Sequence, residues 1–295
     1  MKFKRTKGEV AFDVINVLVL LVITIACLYP FYYMLIYALS SPDQLFKGIT
    51  FFPRGITLEN FARTLSDTSL AHGLLVSVLR TVVGSVLTIV CCSFFAYLCS
   101  KKDMYGRKFI YRFVVTTMYL TAGLIPTYLV YRAYGLRNTF AVYILPTVIV
   151  PYYVVLLKTF FEQLPPALEE SALLDGANTF QVWFKVVMPL SKPIVATIAT
   201  FAMVAQWNAW FDTNIYISND KLYTLQYILY TYLQEAQALA NMANSTVDVI
   251  DLANTITPQT VRMTITAIVT IPVLCVYPFM QRYFVKGIMI GAVKG

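Results

Sequence analysis

A chain of 295 residues with 58% hydrophobic residues, 13% charged residues and a mean hydropathy of +0.66 lies outside the range of soluble domains, which carry about 25% charged residues. That composition points to an all-α membrane protein and excludes a water-soluble enzyme core. A net charge of +8 would suit a nucleic-acid binder, but the placement of the basic residues along the chain removes that reading.

Six stretches approach the roughly 20 apolar residues that a spanning helix needs. The first, over about 13–39, is too long for a signal-peptide core and precedes no small-residue cleavage site, so it reads as a retained span. The loop over 40–72 is broken into turns by Pro42, Gly48, Pro53 and Gly55, and Thr57 is placed to N-cap a short helix from Leu58. Span two covers 73–98 and carries Arg80, with His72, the only histidine, at its outer end. KKDMYGRK is a short turn before span three, 109–132, and YGLRNT is a turn before span four, 140–161. A polar insert, 162–193, separates that span from span five, 194–217, which becomes polar and aromatic after Trp207. The largest polar region, 213–261, is an outer loop with room for a surface helix over about 222–239, and span six covers 262–284.

With the N-terminus inside, the basic clusters fall on one side. They are Lys2, Lys4, Arg5 and Lys7; Lys101, Lys102, Arg107, Lys108 and Arg112; Lys158, Lys185 and Lys192; and Arg282, Lys286 and Lys294. The whole positive excess of +8 then sits in the cytoplasm, which places both termini there and leaves no basic groove for nucleic acid.

Several chemistries are absent. No GxxxxGK[ST] loop cradles a phosphate. Cys27, Cys91, Cys92, Cys99 and Cys275 lie in or at the end of apolar spans without metal-ligand spacing and read as small buried hydrophobes. Arg80 and Asp212 are isolated charges, while Arg132 and Lys158 stand near helix ends where they can snorkel. No proton relay is visible, so the energy for any transport must come from another protein.

The insert contains EESALLDGANTFQVWFKVVMPLSKP. Pro165 and Pro166 pre-set a helix start, Glu169 and Glu170 suit its first turn, and Gly176 suits its end. A second helix begins at Asn178 or Thr179 and carries Phe180, Trp183, Phe184, Val187 and Met188 as one apolar stripe, with Pro189 and Pro193 ending it. The stripe could pack on the protein's own spans and lipid headgroups, or dock on a cytosolic partner.

The spacing resembles the coupling motif of ABC importer permeases, E-A-A, three residues, G, nine residues, I-x-L-P. Glu170-Ser171-Ala172 stands at E-A-A, Gly176 at G, and Val186-Val187-Met188-Pro189 at I-x-L-P. ITLENF at 56–61, Trp207-Asn208, LRTVVGS at 79–85 and the ending QRYFVKGIMIGAVKG resemble maltose-type carbohydrate permeases, the complex-oligosaccharide subgroup in particular.

The resemblance implies a six-span permease subunit, not an enzyme, in a bacterial plasma membrane, importing an oligosaccharide. The alternative is a non-sugar solute such as an amino acid. Few glycines and many Lys, Tyr and Phe lean toward a Gram-positive host. The implied partners are a homologous second permease, a cytosolic ABC ATPase dimer carrying the ATP and Mg, and an extracellular solute-binding protein. No cofactor is implied in this chain.

Glu170, Ala172, Asp175, Gly176, Ala177, Phe180, Trp183, Phe184, Met188 and Pro189 would form the ATPase contact, and the C-terminal Lys286, Gly287, Gly291 and Lys294 would reach it too. Tyr128, Tyr131, Trp207, Asn208 and Trp210 are sugar-path candidates by residue type, although the other permease can hold the sugar.

Overall fold

A computed structural model describes residues 6–41, 51–243, 260–275 and 278. Among them every regular element is helical, apart from an isolated antiparallel bridge between Ser40 and Ile56. The chain divides into two compact units, Met1–Asp67 with Tyr232–Thr270 and Thr68–Thr231 with Ile271–Gly295.

In the first unit, α1 (Lys7–Leu39) opens with a reciprocal cap. Thr6 Oγ1 accepts the Glu9 amide, and the Glu9 carboxylate accepts the Thr6 amide. From Val17 to Tyr32 it is almost wholly apolar and exposed on every side, the pattern of a helix solvated by lipid. Its far end is covered: Met34 and Ala38 pack with Ala267, Phe61 and Met263. Asn60 of α2 (Glu59–Ser66) donates to the carbonyls of Ala38 and Ser40, satisfying acceptors that α1 leaves open. The helix starts one residue later than expected, with Leu58 rather than Thr57 at its N-cap, although Thr57 Oγ1 still accepts the Glu59 amide at 3.0 Å.

The second unit is built around α3 (Thr68–Ser100), whose 33 residues span about 50 Å at 1.5 Å per residue. One side carries Gly73, Ser77, Gly84, Ser85, Thr88 and Ala96, all buried. Small residues let neighbouring helices approach closely when lipid supplies no hydrophobic drive between them. At Gly84 a Cβ would lie 2.7 Å from the Gln206 side chain, so any larger residue displaces it. The opposite side exposes Leu75, Leu79, Val82, Val86 and Val90.

Segment 109–132, expected as one span, is two helices, α4 (Arg107–Thr117) and α5 (Leu124–Ala133), parted by a break that ends at Gly123 with φ +84. The segment expected as span four is also broken. α6 (Ala141–Ile144) runs into a 3₁₀ turn, Leu145–Thr147, and α7 (Pro151–Phe161) leaves at 45°. Pro146 and Pro151 lack amides, and Val150 before Pro151 is extended. α3 patches the opened backbone: Thr88 Oγ1 donates to the Thr147 carbonyl, and Cys92 Sγ accepts the Val150 amide.

After α7 come α8 (Pro166–Leu174), α9 (Thr179–Val182, prolonged through Leu190) and α10 (Lys192–Asn208). α10 stops short of the expected 217, and α11 (Phe211–Tyr216) follows. The helix expected over 222–239 is α12 (Leu225–Ala243), and α13 runs Thr260–Cys275. Among the described residues two helices are long and apolar enough to cross a membrane, or up to four if each bent pair counts as one span.

Candidate functional site

The insert folds as the caps dictate. α8 starts on Pro165-Pro166 and closes in a Schellman turn. The Gly176 amide donates to Leu173, and the Ala177 amide reaches back to Ala172, each at 3.0 Å. Gly176 sits at φ +82, a left-handed conformation in which a side chain is strained. Asn178 then caps α9 reciprocally with Gln181, both bonds 2.9 Å.

Pro189, expected to end this helix, is instead carried inside it. The turn Trp183–Val187 is π-helical, with the Met188 amide bonding to Trp183, and the helix passes Pro189 to Leu190. The widened turn shifts the ladder by one residue just before the proline that cannot donate. The axis then swings by 89° into α10 at the buried Ser191.

The aromatic stripe divides by burial. Trp183 is 2% exposed and, with Val182 and Val187, joins a core of Tyr97, Val154, Leu157, Ile198 and Ala202, its ring 5.2 Å from that of Phe94. Met188 and Ala177 pack partly against the same core. Phe180 and Phe184 are 56% and 59% exposed, with parallel rings 6.4 Å apart. Leu173, Leu174, Glu170 and Asp175 are exposed beside them, and Ala172 is half-buried. Packing on the chain's own spans and an outward apolar face therefore coexist on one helix.

Charges tie the insert to the end of α3. Lys101 forms an ion pair with Glu169, which also accepts from the Tyr97 hydroxyl at 3.3 Å. The Lys101 ammonium lies 4.2 Å from the Tyr97 ring centre. Burial pushes this ammonium down to about 8, outweighing the upward pull of Asp103. Behind it, Glu162 pairs with both Arg107 and Lys158.

A second polar assembly lies about 17 residues, or roughly 25 Å, back along α3 from Tyr97. Arg80, 2% exposed, forms a two-pronged pair with Asp212, donates Nε to Gln206 at 2.9 Å and lies 4.5 Å from the Tyr143 ring centre. Gln206 in turn donates to Thr147 Oγ1 at 2.7 Å, joining α10 to the break between α6 and α7. The Tyr143 hydroxyl donates to Leu222 and lies 3.0 Å from Thr213 Oγ1, which meets Thr224. The sequence shows Arg80 and Asp212 only as separate isolated charges. The signal for the pair is that opposite charges within spans tend to find each other.

The structure does not gather the sugar-path candidates into one site. Tyr128 and Tyr131 are half-buried and both meet Tyr216, at 6.1 and 5.0 Å between ring centres. Trp207 is buried beside a small apolar cavity lined by Thr81, Met203 and Pro272. Trp210 stacks on Tyr230 at 4.0 Å, and Asn208 is exposed at the end of α10. Lys286, Gly287, Gly291 and Lys294 lie outside the described residues.

Comparison with known proteins places these features in a family. The protein LplC of Bacillus subtilis is 34% identical over 99% of this chain and 97% of its own length. The polygalacturonan/rhamnogalacturonan transport system permease protein YtcP of Bacillus subtilis is 33% identical over 96% of this chain and 98% of its own. The crystal structure of a bacterial ABC transporter involved in the import of the acidic polysaccharide alginate contains a chain with a TM-score of 0.84 and 26% identity, covering 95% of this chain and 99% of that one. Residues 88–290, which hold the entire insert, match the binding-protein-dependent transport system inner membrane components, and the chain belongs to that family.

Proposed function

We propose that this chain imports an oligosaccharide as one of two non-identical permease subunits, driven by a cytosolic ATPase dimer that grips the insert. The observation that carries the reading is the insert's construction: two capped helices hinged at Gly176, one face locked into the chain's core and the other bare. The family makes the chain a transport subunit rather than an enzyme, in a bacterial plasma membrane, working with a substrate-binding protein and an ATPase. Relatives from Bacillus subtilis support the Gram-positive lean of the composition. Relatives named for polygalacturonan/rhamnogalacturonan transport and for alginate import support a carbohydrate over an amino acid.

In this reading six spans leave both termini and the insert in the cytoplasm, with Mg and ATP held by the partner. Phe180 and Phe184 fill a groove on the ATPase, and Glu170 and Asp175 pair at its rim. The C-terminal Lys286, Gly287, Gly291 and Lys294 add a second contact. Because Val182, Trp183 and Val187 are keyed among α3, α7 and α10, closure of the ATPase on ATP would move insert and spans as a rigid body. For the sugar, Tyr128 and Tyr131 offer ring faces, with Asn208 and Trp210 as further candidates, while Trp207 serves packing.

The test is ATP hydrolysis by the reconstituted complex, with its binding protein, across a panel of oligosaccharides and amino acids. Stimulation by an oligosaccharide is expected, and stimulation by amino acids alone would sink the sugar assignment.

A further inference from the structure

Next to the insert, the turn 101–106 and α4 border an open-sided cavity of about 580 Å³. Its walls carry four cations, Lys102, Arg107, Lys108 and Lys158, together with Phe109 and Tyr111. Two of the cations are fixed. Lys158 is 8% exposed, with its ammonium 4.3 Å from the Tyr111 ring centre, and Arg107 donates Nε to the Cys99 carbonyl at 2.8 Å. Both share one carboxylate, Glu162. Lys102 and Lys108 are exposed and make no ion pair among the described residues. The cavity therefore has a surplus of positive charge. The first turn of α4 adds to it, because Gly106 at the N-cap provides no side-chain acceptor.

An apolar surface adjoins these charges. Phe109 and Phe113 follow one turn apart on α4 and are 76% and 63% exposed. A soluble anion would use the cations and leave those rings idle. A phospholipid uses both, and basic pockets beside spans at the cytoplasmic surface suit anionic headgroups. We propose that the cavity binds the phosphate of an anionic phospholipid of the inner leaflet, with an acyl chain lying along Phe109 and Phe113. The bound lipid would brace the turn whose Lys101 holds Glu169 of the insert. This inference rests on the inward orientation proposed above.

The experiment is native mass spectrometry of the assembled, detergent-purified complex titrated with dioleoylphosphatidylglycerol, with dioleoylphosphatidylcholine as the neutral control. The wild type should retain the anionic lipid selectively. The loss in K102Q/K108Q should be about fivefold per cation removed, or about 25-fold for both, and K102R/K108R should restore binding. Unchanged retention in K102Q/K108Q would overturn the proposal, as would a loss that the arginine variant fails to restore. Displacement of the lipid by inorganic phosphate at equal concentration would make this a free-anion site and overturn the lipid assignment. Loss of the ATPase from K102Q/K108Q with lipid retention intact would make it a partner surface instead. Orientation is read separately by an impermeant maleimide on Tyr105→Cys, measured over the wild-type background. Labelling only after permeabilisation is expected, and labelling of intact cells would remove the inner-leaflet setting whatever the titration gives.

Discussion

The insert and the Arg80 assembly are two polar features of an apolar chain, and they are held together over different distances in sequence. In the insert, Asn178 bonds Gln181 three residues on, Gly176 bonds Leu173, and Ala177 bonds Ala172. Arg80 reaches Gln206 and Asp212 across 126 and 132 residues. The insert also leaves apolar rings bare, whereas each of the three nitrogens of the Arg80 guanidinium donates to Gln206, Asp212 or the Ala209 carbonyl. One region is a locally coded lever with a free face, and the other is a long-range clasp. Damage to the clasp should cost stability, and damage to the lever should cost coupling while the fold survives.

The largest effect is expected at the clasp. Arg80→Met leaves the Asp212 carboxylate without its cation, and breaking a buried pair costs about 3–5 kcal/mol. Because the Asp212 side chain is 23% exposed, the loss should fall near the lower end. The melting temperature and yield of the purified complex should drop sharply and recover in large part in R80M/D212L, where no charge remains to be buried. An R80M complex as stable as the wild type would erase the distinction between the two regions.

At the lever, Gly176→Pro removes the amide that bonds Leu173 and forbids φ +82, so the angle between α8 and α9 is lost. Substrate-stimulated ATP hydrolysis and uptake should disappear while membrane insertion and α3–α10 packing persist. Gly176→Ala keeps the amide and carries only the left-handed penalty, about 1–2 kcal/mol, so partial coupling should remain. Full coupling in the proline variant would refute the hinge.

A smaller change should follow Phe184→Ala. The ring is exposed, so the complex should melt within about 0.5 kcal/mol of wild type. An aromatic anchor in a partner's groove is worth about 2 kcal/mol or more. ATPase affinity, measured by titration, should therefore weaken more than tenfold, and an unchanged affinity would assign the ring to lipid.

The same contrast explains what could be read from the sequence. Caps, the Gly176 turn and the Pro165-Pro166 start were legible because their causes lie within a few residues of their effects. The division of the stripe was not. A helical period groups Phe180, Trp183, Phe184 and Met188 without saying which edge meets the core, and the π turn before Pro189 depends on the neighbours that hold it. The break before Gly123 was hidden because Met118, Tyr119 and Leu120 are as apolar as a helix requires. The clasp left only indirect traces: two isolated charges and, on α3, the run of small residues Gly73, Ser77, Gly84, Thr88 and Ala96 that marks where other helices come close.

The smallest effect is expected where the lever joins α3, at Lys101. Burial holds its ammonium near 8 in the folded protein, against 10.5 for an ordinary lysine. Between those values the unfolded chain binds more protons than the folded one, so this group makes folding more favourable as pH rises through that window. The ion pair with Glu169 loses its positive partner over the same window. Stability and coupling should thus move in opposite directions: the melting contribution improves slightly above pH 8 while substrate-stimulated ATP hydrolysis declines. Lys101→Arg keeps its charge throughout and should flatten the decline. Measured as the ratio of stimulated rates, wild type over K101R, the coupling should fall roughly twofold as half of Lys101 deprotonates near its midpoint. A ratio constant from pH 7 to 9.5 would show that the insert is carried by its buried face alone, through Val182, Trp183 and Val187, and that Lys101 contributes nothing to transmission.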